Sequence, residues 1–147
     1  MAQGPFSAGV SAWVAQTKER MTAVRAEAAQ RVVEIMQTPV AKGGNLPLDT
    51  GFMRASLQAQ IGQGAFTARD NPGGDGSFSY DAGAVSLVIA KAKPSDPITL
   101  CYTAVYAIHQ EYGARGRPGR AFVRLASQQW GRVVQEVSAE AQTRAAR

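Results

Sequence analysis

An uninterrupted helical pattern of apolar residues constrains the fold of this chain more than any other feature of its sequence. The pattern predicts one helix over residues 7–37, with Ser7 as its N-cap and with Pro39 and Gly43-Gly44 beyond its end. Such a helix is about 46 Å long, whereas a domain of this length has a radius of gyration of about 15 Å. The helix therefore overhangs the core and needs a second surface to cover it, which predicts self-association. Its apolar stripe comprises Phe6, Val10, Val14, Thr17, Met21, Val24, Ala28, Val32 and Ile35.

The length and composition of the chain are those of an ordinary globular domain. The 147 residues predict a single domain over residues 1–147. No apolar run approaches the ~20 residues of a membrane span, and the N-terminus lacks a signal-peptide pattern, so no membrane partner is expected. The single cysteine, Cys101, excludes an internal disulfide and a zinc site built from several cysteines.

Beyond the first helix, alternating apolar residues and clusters of turn residues predict a mixture of strands and helices. The two apolar faces of residues 98–109 are typical of a central strand. The predicted fold class is α+β, with a long N-terminal helix, an antiparallel sheet of three to four strands and a C-terminal helix packed on the sheet. The predicted elements are a helical turn at 50–56 capped by Asp49 or Thr50, strands at 56–62, 84–90 and 98–109, a long mobile loop at 62–83 and a helix at 121–145.

The formal net charge of +5 is confined to the C-terminal quarter of the chain. Residues 1–112 hold nine basic and nine acidic residues, whereas residues 113–147 hold seven arginines and two glutamates. Four of these arginines lie in or beside a glycine-rich turn at the start of the last predicted helix, where cations are unfavourable unless a partner supplies negative charge. We therefore expect these arginines to face an acidic protein surface or DNA phosphates. They are Arg115, Arg117, Arg120 and Arg124.

Two groups of residues are candidates for catalysis or metal binding. Asp49-Thr50-Gly51 is the triplet of aspartic proteases, in which two aspartates share a proton, but helix-forming residues follow it and no strand enters it. His109 and Glu111 would face the same side of a strand, but the chain has no second histidine to complete a metal site. The sequence therefore predicts no catalytic, cofactor-binding or metal-binding residue, and either Asp49 or Thr50 is interpreted as a helix cap.

Three segments within residues 47–126, PLDTGFMRAS, YAIHQEYG and RPGRAFVRLA, form an ordered set of motifs. Together they resemble the tail-completion (neck, head–tail joining) proteins of tailed double-stranded DNA bacteriophages. His109 takes the place of an aromatic residue of that family, and Ala121 and Leu125 replace its prolines. The matching positions are Pro47, Asp49, Thr50, Gly51, Met53, Arg54 and Ser56, then Tyr106, Ala107, Glu111, Tyr112 and Gly113, then Pro118, Arg120, Phe122, Arg124 and Ala126.

The resemblance implies a structural virion protein without catalytic activity, located in the neck or tail top and, during assembly, in the host cytoplasm. It also implies a homo-oligomeric ring, with a hexamer as the expected size. The implied neighbours are a connector or stopper protein, a tail-tube or tail-terminator protein and the DNA in the channel, with the loop at 62–83 ordering on contact. Two other functions stay open: a small basic nucleic-acid-binding protein without a ring, and a dimeric aspartic protease that uses Asp49.

Overall fold

The computed structural model describes residues 4–73 and 76–147, and within them the fold mixes helices with short antiparallel strand pairs. This agrees with an α+β class in its broad outline: a long helix comes first and a helix comes last. The helices are α1 (Pro5–Gln37), α2 (Phe52–Ala55), α3 (Ala82–Lys91), α4 (Ala107–Tyr112), α5 (Phe122–Gln128) and α6 (Trp130–Ala145), with a 3-10 turn at Val40–Lys42. The strands are β1 (Leu57–Ile61), β2 (Ile98–Tyr102), β3 (Gly113–Ala114) and β4 (Arg117–Pro118).

The strands form two separate two-stranded sheets, so the prediction of one sheet of three to four strands is wrong. In the first sheet β1 and β2 run antiparallel, with Leu57 opposite Tyr102 and Ile61 opposite Ile98. In the second sheet β3 and β4 run antiparallel, with Gly113 opposite Pro118. Much of the sequence expected to supply the other strands is helical instead, in α3 and α4.

Residues 84–90, predicted as a strand, belong to the helix α3. A carboxylate oxygen of Asp81 accepts a hydrogen bond from the Ala84 backbone N–H at 3.0 Å and so caps the helix. Val85 and Ile89, which are four residues apart, are buried, whereas Leu87 between them is 54% exposed. The same apolar residues fit a strand and a helix, and the Asp81 cap favours the helix.

The predicted strand at 98–109 ends early, at Tyr102. The backbone N–H of Thr103 and its hydroxyl both donate to the carbonyl oxygen of Ser56, at 3.1 and 2.9 Å. These bonds hold the chain where it leaves the sheet, and α4 follows. His109 and Glu111 therefore lie on a helix and not on one face of a strand: His109 is exposed and Glu111 is buried.

The helix α1 ends at Gln37, as predicted, but it begins at Pro5, before the predicted cap at Ser7. Proline suits the first helical turn because its missing N–H would have no partner there. Ser7 instead donates its hydroxyl hydrogen bond to the Gly4 carbonyl oxygen at 3.2 Å. Every residue from 4 to 16 is exposed, so the N-terminal part of α1 projects away from the core.

The predicted helix at 121–145 is present but is divided into α5 and α6 at Gln129. The helix α6 packs antiparallel on α1, so the prediction that the C-terminal helix packs on the sheet is wrong for α6. Two hydrogen-bonded pairs join α6 to α1: Arg31 donates to Glu140 at 2.6 Å and Arg144 donates to Glu27 at 3.2 Å. Glu27 and Arg31, which are four residues apart on α1, also pair with each other at 2.8 Å. These bonds lower the pKa of Glu27 and of Glu140 and raise that of Arg31.

The core consists of two adjoining clusters of buried apolar side chains. The larger cluster joins the C-terminal half of α1 to β1, α3 and α5. Phe122, at the start of α5, packs edge-on against Tyr102 of β2 with their ring centroids 5.1 Å apart. The smaller cluster joins α1 to α6 through Ala28, Val133 and Val137. The larger cluster includes residues of all three motifs, namely Phe52, Met53, Ala107, Phe122 and Ala126.

Candidate functional site

The first motif forms the tight turn that starts α2. The N-cap position of α2 is Gly51, and of the two residues predicted as caps only Thr50, one position earlier, bonds to the start of the helix: its hydroxyl oxygen accepts a hydrogen bond from the Phe52 N–H at 3.3 Å. Gly51 has a φ of +86°, and a Cβ added there would lie 2.9 Å from the Phe78 carbonyl oxygen. Glycine is therefore required at this position. Asp49 is exposed beside this turn and does not cap α2, so its interpretation as a helix cap is wrong, although a helix does follow the triplet.

Arg54 of the first motif fastens α2 to the end of α1. Its Nε donates to the Gln37 carbonyl oxygen at 3.0 Å, and the Gln37 side-chain amide donates to the Arg54 carbonyl oxygen at 3.0 Å. The Tyr102 hydroxyl donates to the other end of the Gln37 amide, at 2.5 Å. The Arg54 guanidinium also lies 5.3 Å from the centre of the Tyr80 ring. The contacts of Arg54 are therefore within the chain, where they join α2 to α1.

The second motif packs on the first through aromatic rings. The ring of Tyr106 lies 6.3 Å from that of Phe52, and Phe78 packs edge-on against the same ring at 5.1 Å. Burial raises the pKa of the Tyr106 hydroxyl, and a hydrogen bond with the Met53 backbone partly offsets that effect. The first two motifs therefore form one packed unit.

Glu111 joins the second motif to the third. One carboxylate oxygen of Glu111 accepts the backbone N–H of Val123 at 2.9 Å, and the other accepts the backbone N–H of Arg124 at 3.0 Å. These N–H groups lie in the first turn of α5 and have no acceptor within the helix. Arg124 also donates its Nε to Glu111 at 3.0 Å and lies 4.6 Å from the centre of the Tyr112 ring. Glu111 itself supplies the negative charge that was expected from a partner at this helix start.

The arginine-rich turn is a β-hairpin made of β3 and β4. Its two loop residues, Arg115 and Gly116, have φ values of +50° and +75°, and positive φ at both loop positions is the signature of a type I′ turn. Positive φ costs a residue with a side chain roughly 1–2 kcal/mol, so Arg115 occupies a strained position at the tip. A Cβ at Gly113 would lie 2.5 Å from the Arg117 carbonyl oxygen, so the hairpin also depends on close backbone approach.

The four predicted interface arginines divide into two kinds. Arg124 is engaged within the chain by Glu111 and Tyr112. Arg115, Arg117 and Arg120 are exposed. Within residues 4–73 and 76–147, none of the ion pairs involves these three. Their contact with an acidic partner or with DNA stays a prediction.

The predicted mobile loop at 62–83 contacts the rest of the fold at two places among its described residues, one after β2 and one at the first motif. The backbone of Arg69 pairs with the segment that follows β2. The Arg69 N–H donates to the Thr103 carbonyl oxygen at 2.7 Å, and the Arg69 carbonyl oxygen accepts from the Val105 N–H at 3.0 Å. Phe78 packs on the first motif and donates its N–H to the Thr50 carbonyl oxygen at 3.2 Å. Gly74 and Asp75 lie outside the described residues, and the mobility of the loop stays a prediction.

The sequence predicted one of two exposed apolar surfaces in part and did not predict the other. The first is the arm, defined as residues 5–17 of α1, whose stripe includes Trp13 in addition to the predicted positions. The second is the α1–α6 groove, a cleft of about 570 Å³. Trp130 is 41% exposed and lies on the wall of this groove. The groove is lined by Arg20, Met21, Val24, Arg25, Trp130, Val134, Ser138, Ala141, Gln142 and Ala145.

The described part of the chain contains no cluster of three or more histidine, cysteine or acidic side chains placed to hold a metal ion. No described helix combines the length and the apolar character needed to cross a membrane. Cys101 is half-buried in β2, and burial raises the pKa of its thiol, which favours the protonated form.

Comparison of the chain with protein-family models, with curated proteins and with solved structures found no match in any of the three.

Proposed function

We propose that this protein is a structural component of the neck or tail top of a tailed double-stranded DNA bacteriophage, where it forms a ring that joins the DNA-filled head to the tail. The observation that carries the proposal is the convergence of the three motif segments. They are separated by up to about 70 residues in the chain, yet they pack into one cluster through Phe52, Tyr106 and Glu111. The set of residues that resembles the neck-protein family thus forms one structural unit.

The role proposed for this cluster is to hold the arginine hairpin in a fixed position. The hairpin begins directly after α4 and is separated from α5 only by residues 119–121, and Glu111 ties these two helices together. The backbone that carries Arg115, Arg117 and Arg120 is therefore anchored at its base and has little freedom to lose on binding. They pair with acidic groups on the adjoining connector, stopper or tail protein, or with DNA phosphates in the channel.

The second candidate is a nucleic-acid-binding protein that forms no ring, and the exposed arginine hairpin is the observation that favours it. The two candidates differ in salt dependence. For contact with free DNA, the logarithm of affinity falls by about 0.9 per phosphate contacted for each unit of log salt. For a protein partner, DNA binding at physiological salt is weak while complex formation still requires the arginines.

The experiment is complementation of an infection that lacks the wild-type protein. The test variant is Arg115→Glu with Arg117→Glu. The matched control is Lys91→Glu with Lys93→Glu, an equal charge reversal at two other exposed positions. Both variants should fold, because exposed charges contribute little to stability. The hairpin variant should leave filled heads without tails, because like charges across an interface cost several kcal/mol, while the control should assemble normally. A normal yield of tailed, infectious particles from the hairpin variant would contradict the proposal.

A further inference from the structure

The arm carries an exposed apolar stripe that nothing else in the described chain covers. Phe6 is 85% exposed, Trp13 is 66% exposed, and Val10 and Val14 on the same face are 45% and 37% exposed. Residues 4–17 contain no charged side chain, although 18% of the whole chain is charged. Burial of the arm therefore requires no charge to be removed from water.

The stripe of the arm continues an apolar interface that already exists within the chain. Further along α1, Ala28 lies on the same helical face and is covered by Val133 and Val137 of α6, while Val24 packs partly against them and also lines the groove. The cover stops because α6 ends at Ala145, close to Glu27. The arm is the part of α1 that extends past the end of its covering helix.

The α1–α6 groove has the length and the chemistry to accept such a helix. Trp130, Val134, Ser138, Ala141 and Ala145 form one face of α6, spaced by three and four residues. This face is about 22 Å long, and the arm of 13 residues is about 20 Å long. Small residues at the Ala145 end leave space, while the exposed Trp130 gives the other end an apolar wall.

We infer that the arm of one copy of this protein lies in the α1–α6 groove of a second copy. The occupant is a second copy because the chain itself carries both a charge-free apolar helix and a groove of matching length, which is mainly apolar and has Arg20 and Arg25 on its α1 side. The aromatic side chains of Phe6 and Trp13 bury roughly 150–250 Å² each. They thus supply roughly half of the ~800 Å² per partner that a stable interface requires.

The contact joins two different surfaces, so each copy gives one arm and receives another. Such head-to-tail contacts form closed rings when the rotation between neighbours closes. The contact between two copies does not depend on the proposed function. Only its assignment to neighbouring copies in the proposed ring rests on that function.

The experiment measures the mass of the full-length protein by light scattering over a range of concentrations. The arm variant is Trp13→Asp, and the groove variant is Ala141→Glu. Ala12→Asp is the matched control, since it places the same carboxylate on the opposite, exposed face of the arm. The wild type and the control should exceed the monomer mass of 15.6 kDa, whereas each of the other variants should remain at it.

Mixing the two monomeric variants provides the decisive result. One intact arm then meets one intact groove, so an equimolar mixture should form a complex of one copy of each. Ser138→Arg serves as a second groove variant if Ala141→Glu lowers the unfolding temperature.

A mixture that stays monomeric would overturn the inference, and a symmetric contact between two arms would behave in that way. A wild type that is monomeric at every concentration would overturn it as well. Both results are independent of head–tail joining, so a protein that associates as inferred but is absent from virions would contradict the proposed function alone.

Discussion

Replacement of Glu111 by glutamine should destabilise the protein far more than the same change at an exposed position. The Glu111 carboxylate is only 6% exposed and accepts three hydrogen bonds, from the Val123 N–H, the Arg124 N–H and the Arg124 Nε. Glutamine keeps one acceptor oxygen but turns an amide NH2 toward a backbone N–H. The variant therefore loses at least one bond and leaves a helix N–H without an acceptor.

The magnitude follows from the contacts that are lost. A hydrogen bond to a charged group contributes about 1.5–3 kcal/mol, and the loss of negative charge beside a helix N-terminus costs about 0.3–1 kcal/mol more. We therefore expect Glu111→Gln to lower the free energy of unfolding by about 2–4 kcal/mol. For a protein of this size, each kcal/mol corresponds to about 2–4 °C, so the midpoint of thermal unfolding should fall by about 4–16 °C.

Urea denaturation followed by circular dichroism measures this change. The control is Glu136→Gln, which removes an exposed carboxylate 2.6 Å from Arg132 on the same helix. An exposed pair of this kind contributes about 0.3–0.5 kcal/mol. A loss below about 0.5 kcal/mol for Glu111→Gln, equal to that of the control, would refute the argument that Glu111 holds the second and third motifs together.

Two further predictions concern close packing and acid stability. Gly119→Ala should lower the unfolding temperature markedly, because the Cβ of the alanine would clash with the Glu111 carbonyl oxygen. The measurement is thermal unfolding of this variant, and the control is Gly131→Ala, at a position with open space around it. The hydrogen bond from Arg31 lowers the pKa of Glu140 below its ordinary value of 4.5, so the stability it gives is present above pH 4.5 and is lost as the pH falls below that value. Urea midpoints between about pH 7 and pH 3 should therefore fall more steeply for the wild type than for Glu140→Gln, and parallel curves would contradict this assignment.

The sequence predicted the elements that have clear local signals. The end of α1 at Gln37, the turn capped by Thr50 and the strand β1 follow from prolines, glycines and strict alternation of apolar residues. The apolar runs at 84–90 and 98–109 were predicted as strands because short runs of this kind fit a strand and a buried helix equally well. A sequence signal for the first was present at Asp81, a residue type that caps helices.

The candidate site was predicted in part. The exposed positions of Arg115, Arg117 and Arg120 follow from a charged, glycine-rich turn. The role of Glu111 could not be predicted, because it caps a helix that begins 11 residues later and depends on how α4 and α5 meet. The groove beside Trp130 was missed for a related reason: helical periodicity shows which side chains share a face, but not where the covering helix ends.

Averaging of the neck region in electron cryomicroscopy images of purified virions tests the central claim most directly. We expect a ring at the head–tail junction whose subunits fit this fold, with the hairpin of Arg115 and Arg117 against the adjoining ring or the channel DNA. We also expect the arm of each subunit to lie against α6 of the next. A well-resolved neck in which every ring is accounted for by other proteins would contradict the claim.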